Sequence, residues 1–181
     1  RKVNSMSNIS QLNTDILIVG AGIAGLLAAT DLDTSGFHPL VVDKGRGVGG
    51  RLASRRVGSA TFDHGAQFIT ARTPRFAALL NEWKELGLVA EWYRGTNKEH
   101  IYWRGVPSMT AVPKHLSKSL HVRLEMKMTV LKQEGSHWLA IFENGETITA
   151  NAVLLTAPVP QSLALLDAGG VALEASMREQ L

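Results

Sequence analysis

One junction constrains this chain more than any other: DILIVGAGIAGLLAATDL, opening at Asp15, sets Gly20, Gly22 and Gly25 between two unlike patterns. Before the glycines, residues 15–20 are a continuous apolar run of strand length, as expected of a strand covered on both faces in a parallel sheet. After them comes an Ala- and Leu-rich segment with apolar Leu26, Ala29 and Leu32 and a stop at Gly36, which predicts a helix. A second apolar run, residues 38–43, ends on Asp43 and completes a βαβ unit, whose crossover is right-handed.

Each glycine has a separate task at such a junction. The first allows a tight turn, the second lets a pyrophosphate approach the backbone, and the third lets helix and strand pack closely. The free N–H groups of the helix start, with Ile23 and Ala24 among them, then face the anion at the positive end of the helix dipole. A βα turn without a ligand is the plainer alternative. Asp43 argues against it, because a carboxylate at the end of the second strand accepts hydrogen bonds from adenosine ribose hydroxyls. Taken alone, such an aspartate is more often a turn or helix cap.

The next residues, KGRGVGGRLASRR, are basic and low in volume. Between positions 44 and 75 stand Lys44, Arg46, Arg51, Arg55, Arg56, Arg72 and Arg75 against one acid, Asp63. A solvated face, a nucleic-acid surface and a phosphate site are all compatible with this cluster. Gly49, Gly50 and Arg51 favour the phosphate site: adjacent glycines let a second backbone segment close over a diphosphate, and a guanidinium adds charge-assisted hydrogen bonds. Arg46, Arg55 and Arg56 are left to the solvated face.

The glycine triad, Asp43, Gly50 and Arg51 together resemble the FAD site of the flavoprotein superfamily that holds the monoamine oxidases, and within it the renalases and bacterial amine-oxidase-like proteins. The likeness continues through FDHGAQFITARTPRF (62–76), WRGVPSMTAV (103–112) and LLTAPVPQ (154–161). It implies a Rossmann-like α/β fold whose FAD-binding parallel sheet carries an antiparallel meander insertion. It implies cofactor contacts at Gly20, Gly22, Ile23, Ala24, Gly25, Asp43, Lys44, Gly49, Gly50, Arg51, Gly65, Ala66, Gln67, Phe68, Met128 and Thr156, with Thr70 and Thr129 as weaker matches. Gln67, Thr156, Ala157 and Pro158 would lie nearest the flavin ring.

The implied reaction oxidises 2- or 6-dihydro isomers of NAD(P) with O2, giving NAD(P)+ and hydrogen peroxide; an amine substrate is the alternative. No acid–base residue is required, since the flavin carries the electron chemistry. His64 departs from the family pattern, which has an apolar residue there. A flavin-tuning or basic role competes with ordinary hydrogen bonding, and the latter is preferred. The resemblance also implies that the family's C-terminal segment, with much of the substrate pocket, lies outside these 181 residues. A non-catalytic FAD-binding fragment is therefore a further reading.

Elsewhere, residues 1–13 read as a disordered leader and 14–181 as one domain, with a substrate-domain excursion within about 75–120. Thr73 and Pro74 open a helix through Leu86, and a shorter helical segment spans Met109 to Leu120, with Pro113 either starting or kinking it. From Val122 successive strands are expected, with Asn144-Gly145 forming a type I′ turn and residues 152–158 returning to the parallel sheet.

The formal charge of +3 and the 45% hydrophobic content suit a packed core, and no apolar run approaches the ~18 residues of a membrane span. The absence of cysteine excludes disulfides and thiolate chemistry and points weakly to the cytoplasm. The scattered histidines show no metal-ligand spacing, so no metal is expected. Trp83, Trp92, Trp103 and Trp138 are assigned to core or edge packing. Partners are expected to be the small substrate and O2, without nucleic acid or membrane.

Overall fold

A computed structural model describes residues 11–95 and 100–180. In chain order the elements are β1 (Gln11–Val19), α1 (Ile23–Thr34), β2 (Leu40–Val42), β3 (Ser54–Val57), β4 (Ala60–Asp63), α2 (Pro74–Glu85), β5 (Val89–Arg94) and β6 (Ile101–Gly105). They continue with α3 (Ala111–Leu116), β7 (His121–Arg123), β8 (Met128–Glu134), β9 (His137–Phe142), β10 (Thr147–Leu155), α4 (Val159–Ala168) and α5 (Ala175–Glu179). A 3₁₀ turn spans Gly50–Leu52.

The main sheet has the order β7-β2-β1-β10-β9-β8. Its first four strands are mutually parallel, and β9 and β8 add in antiparallel fashion. The predicted α/β architecture with a meander is therefore present. Alternation along β1 and β2 sorts two cores. Ile18 and Val41 face Leu26 and Ala29 of α1, Leu80 and Trp83 of α2, and Val112 and Leu116 of α3. Leu17, Leu40 and Val42 face the other way and cluster with Met126, Met128, Leu131, Ala140, Phe142 and Ile148.

That second cluster requires the sheet to curl. Edge strands β7 and β8 are joined through residues 124–127 alone, a path of at most about 18 Å. Five interstrand spacings in a flat sheet would separate them by about 24 Å. The meander therefore bends over the face of β1 and β2, and α4 packs against β8, where Gly169 is so close to Leu131 that a Cβ would meet its carbonyl.

Several expectations need correction. Residues 11–13, assigned to a leader, extend β1 and pair with Thr147–Thr149; residues 1–10 lie outside the described residues. The strand expected at 152–158 is not separate from the meander. It is the second half of β10, which ends at Leu155. Asn144-Gly145 does not form a type I′ turn, since Gly145 has φ +85° but Asn144 is absent from the positive-φ residues. The hydrogen bond from Gly145 N–H to Phe142 C=O (3.0 Å) marks a turn centred on Glu143 and Asn144, followed by glycine in the left-handed region. Hairpins β3–β4 and β5–β6 were not anticipated. Among the described residues, no helix is long and apolar enough to cross a membrane.

Candidate dinucleotide-binding site

The glycine loop leaves β1 at Gly20, whose φ of +114° no other residue type adopts without strain. Four hydrogen bonds hold the peptides of this turn. Gly20 N–H donates to Val42 C=O (2.8 Å) and Ala21 N–H to Asp43 Oδ2 (2.7 Å). The Ala21 carbonyl accepts from Gly49 N–H (2.8 Å), and the Gly20 carbonyl from Thr156 Oγ1 (3.2 Å). Strand ends β2 and β10 and the GGR segment thus all converge on one turn.

The glycines differ in what they permit. A Cβ on Gly25 would collide with the Gly20 carbonyl, which makes this the helix-packing glycine. A Cβ on Gly22 would meet nothing within 4 Å. Gly22 is also the N-cap of α1 and provides no side-chain cap, so the N–H groups of Ile23, Ala24 and Gly25 open the helix without intrahelical partners. Open space above a glycine at an uncapped helix start is the cradle a pyrophosphate needs. No acidic residue stands in the first turn to compete for it.

The GGR segment docks on this loop backbone to backbone. Gly22 and Gly49 form an isolated parallel bridge, and a Cβ on Gly50 would stand 3.3 Å from Gly22 Cα. Gly49 and Gly50 have φ +122° and +53°. The next segment stacks in turn: Ala66 N–H donates to Arg51 C=O (2.7 Å), and Gly65 sits where any Cβ would strike that carbonyl. The Arg51 side chain is exposed and has no ion-pair partner among the described residues.

Asp43 is half-buried and receives a second N–H, from Gly45 to Oδ1 (2.7 Å). Each carboxylate oxygen keeps a further acceptor position, so ribose hydroxyls remain compatible with this arrangement. Beside it runs a segment that sequence reasoning missed. Met126 N–H donates to Asp43 C=O (2.8 Å) and Glu125 N–H to Gly45 C=O (2.9 Å), with Glu125 at φ +57°. No local pattern announces this contact, which comes from the curl of the sheet.

Lys44 Nζ donates to Gln161 Oε1 at 2.9 Å. Met128 is buried in the second core, and Thr129 Oγ1 bonds Ile141 C=O. Ala157 and Pro158 lead into α4, with Pro158 as its N-cap. His64 and Gln67 are exposed, and neither the preferred hydrogen bonding of His64 nor any other partner is found for it among the described residues. Thr70 is half-buried. Phe68 joins an aromatic row: its ring meets Tyr102 edge-on (4.9 Å), Tyr102 stacks on Tyr93 (4.3 Å), and Tyr93 meets Trp92 (5.3 Å). A bulge at Glu91–Tyr93 breaks the strand alternation there. Of the tryptophans, Trp83 and Trp103 are buried, Trp138 is half-buried and Trp92 is exposed.

A half-buried polar tie fixes the approach to Gly65. Asp63 Oδ1 accepts from Ser54 Oγ (2.6 Å) and Met109 N–H (3.1 Å), and Thr110 Oγ1 bonds Ser54 Oγ (2.6 Å) and Leu52 C=O (3.2 Å). The basic cluster mostly faces water. Arg46, Arg55, Arg56 and Arg72 are exposed, and Arg75 pairs with Asp31 at 2.6 Å.

Residues 18–83 match the family described as NAD(P)-binding Rossmann-like domain. With the parallel sheet described above, that match gives the chain a Rossmann-like fold. The chain is similar in sequence to several proteins named as oxidases. A Mycobacterium tuberculosis protein named as a flavin-containing monoamine oxidase is 37% identical over 91 residues, 50% of this chain and 19% of that protein. Putrescine oxidase of Kocuria rosea is 33% identical over 78 residues, 43% of this chain and 16% of the relative. Protoporphyrinogen oxidase 2 of Arabidopsis thaliana is 33% identical over 96 residues, 52% and 18% of the two chains. The alignments thus take up less than a fifth of each relative. A solved putrescine oxidase variant superposes with a TM-score of 0.77 at 17% identity, over 94% of this chain and 63% of that one, which is a likeness of fold.

Proposed function

We propose that this chain supplies the cofactor-binding part of an FAD-dependent oxidoreductase related to the amine oxidases. The observation that carries the reading is the backbone bridge between Gly22 and Gly49 at the uncapped start of α1, with Asp43 beside it. An ordinary βα turn has no need of a second glycine segment pressed onto the first. The names of the relatives support flavin over a soluble nicotinamide cofactor.

In this reading the N–H groups at the start of α1 and the Arg51 guanidinium hold the diphosphate, and Asp43 takes the adenosine ribose. Bound FAD would supply the redox chemistry, taking a hydride from a reduced substrate and delivering two electrons to O2. The chain's own task is placement: the Gly65–Gln67 backbone and the Ala157–Pro158 backbone that follows β10 would flank the ring and limit its exposure to water.

For the substrate, the likeness of residues 62–76 to the renalases supports 2- or 6-dihydro-NAD(P) isomers, oxidised to NAD(P)+ with hydrogen peroxide as the second product. A second reading, a primary amine, is favoured by the monoamine and putrescine oxidases among the relatives. The test is reconstitution of the purified chain with FAD, followed by anaerobic rapid mixing with the nicotinamide isomers and with simple amines. Bleaching of the flavin by the isomers supports the first reading and bleaching by amines alone the second. A chain that stays colourless after reconstitution refutes the assignment to an FAD enzyme.

A further inference from the structure

We infer that Thr156 is a positioning residue: its hydroxyl sets the shape of the diphosphate-binding glycine loop from the neighbouring strand, and does not serve as a cofactor contact. The inference rests on the reading of that loop as a diphosphate site and deepens it.

Thr156 follows β10, the strand that runs parallel to β1 up to the pair Val19–Leu155. Its N–H donates to Val19 C=O (2.9 Å), which extends the ladder by one step beyond the last pair. Its hydroxyl is shared between the carbonyls of Val19 (3.0 Å) and Gly20 (3.2 Å). A hydroxyl has one proton to give, and the acceptors within its reach are two backbone carbonyls, the last of β1 and the first of the loop. As a donor the group is therefore committed to the protein, and a diphosphate, whose oxygens only accept, gains no hydrogen bond from it.

The same oxygen crowds two of the three glycines. A Cβ on Gly20 would come within 2.5 Å of Thr156 Oγ1, and a Cβ on Gly25 would lie 3.0 Å from it. The hydroxyl fills the gap that the missing side chains leave between β1, α1 and β10. Its effect is directional. The Gly20–Ala21 peptide has its oxygen held by Thr156 and its nitrogen, that of Ala21, held by Asp43. With both ends fixed the peptide cannot rotate, and the N–H groups that follow at the start of α1 keep one aim. Among the described residues, Thr156 supplies the side-chain donor that comes to this loop from outside the βαβ unit.

Three proteins, wild type, Thr156→Ser and Thr156→Val, test this by their dissociation constants for FAD, ADP and adenosine. Valine keeps the shape and removes the donor, whereas serine keeps the donor. Expected is a loss of about tenfold for FAD and ADP in Thr156→Val, near wild-type values in Thr156→Ser, and no change for adenosine, which lacks the diphosphate. Unchanged ADP affinity in Thr156→Val overturns the inference, as does an equal loss for adenosine or a failure of serine to rescue. If the wild type binds neither FAD nor ADP, the reading of the site fails by itself. Amide hydrogen exchange at Gly20–Leu26 in the three unliganded proteins then decides the brace: faster exchange in the valine variant alone supports it, and equal exchange in all three refutes it.

Discussion

The carboxylate of Asp43 accepts the N–H of Ala21 at 2.7 Å, so the residue expected to read a ribose also holds the turn that cradles the phosphates. With Gly45 on its other oxygen, Asp43 ties the glycine loop to the turn after β2 before any ligand arrives. Replacement by alanine strands two N–H groups. We expect Asp43→Ala to lose about 2 kcal/mol of stability, since hydrogen bonds to a charged group contribute about 1.5–3 kcal/mol each and water repairs part of the damage. Chemical denaturation measures it; an unchanged unfolding midpoint would show that the carboxylate does not brace the loop.

Gly22 and Gly25 should fail in opposite ways. A methyl at Gly25 runs into the Gly20 carbonyl, so Gly25→Ala is expected to cost more than about 2 kcal/mol or to prevent folding. At Gly22, with φ −77° and open space around the added carbon, Gly22→Ala should change stability by about 1 kcal/mol or less. The methyl would instead occupy the approach to the helix start. FAD affinity measured by fluorescence quenching should fall at least tenfold, by about 1.4 kcal/mol. Full affinity in a folded Gly22→Ala protein would remove the diphosphate from that position.

Asp63 precedes the segment resting on Arg51 and is bonded to Ser54 and Met109. Asp63→Ala leaves the Met109 N–H without its partner beside the half-buried Ser54–Thr110 hydroxyl pair. A loss of about 2 kcal/mol is expected, with Ser54→Ala non-additive on the same background because both belong to one network. A double-mutant cycle that sums to zero interaction would count against the tie.

Far from the site, Arg178 bonds both oxygens of Asp167 at 2.9 and 2.7 Å and joins α5 to α4. This hydrogen bond, followed by the charge attraction, holds the Asp167 carboxyl below its ordinary value of 3.8. The folded pKa is depressed, so the contribution of the pair is present above the ordinary value and is lost as pH falls through the lowered one. A carbon-detected NMR titration should find Asp167 midway below 3.8 in the wild type and back near that value in Arg178→Met.

The parts of the fold that were legible share a cause: local sequence carries them. A strand, three glycines and a helix announce themselves because each residue type answers a need within a few positions, and Gly49–Gly50 was legible for the same reason. The β3–β4 hairpin was not, because most of its residues are exposed and no apolar face imprints a period of two. In β5 the bulge at Glu91–Tyr93 breaks the alternation that would mark a strand. Asn151 interrupts the apolar run of β10 and made one strand read as two, yet its side chain simply turns outward to Asp15 at 2.8 Å. The contact of Met126 with Asp43 depends on the curl of a whole sheet, which no window of residues contains.

β10 belongs to two structures at once. From Thr147 to Ala150 it pairs with both β9 and β1, and from Ala152 to Leu155 it continues with β1 up to Thr156. Inserting or deleting a single residue along it would present opposite faces to the two cores and carry the threonine off its carbonyls. Length is therefore the property of this strand least free to drift: side chains along its outward face can be exchanged one by one, but its count of residues sets the distance from the meander to the glycine loop like the teeth of a gear.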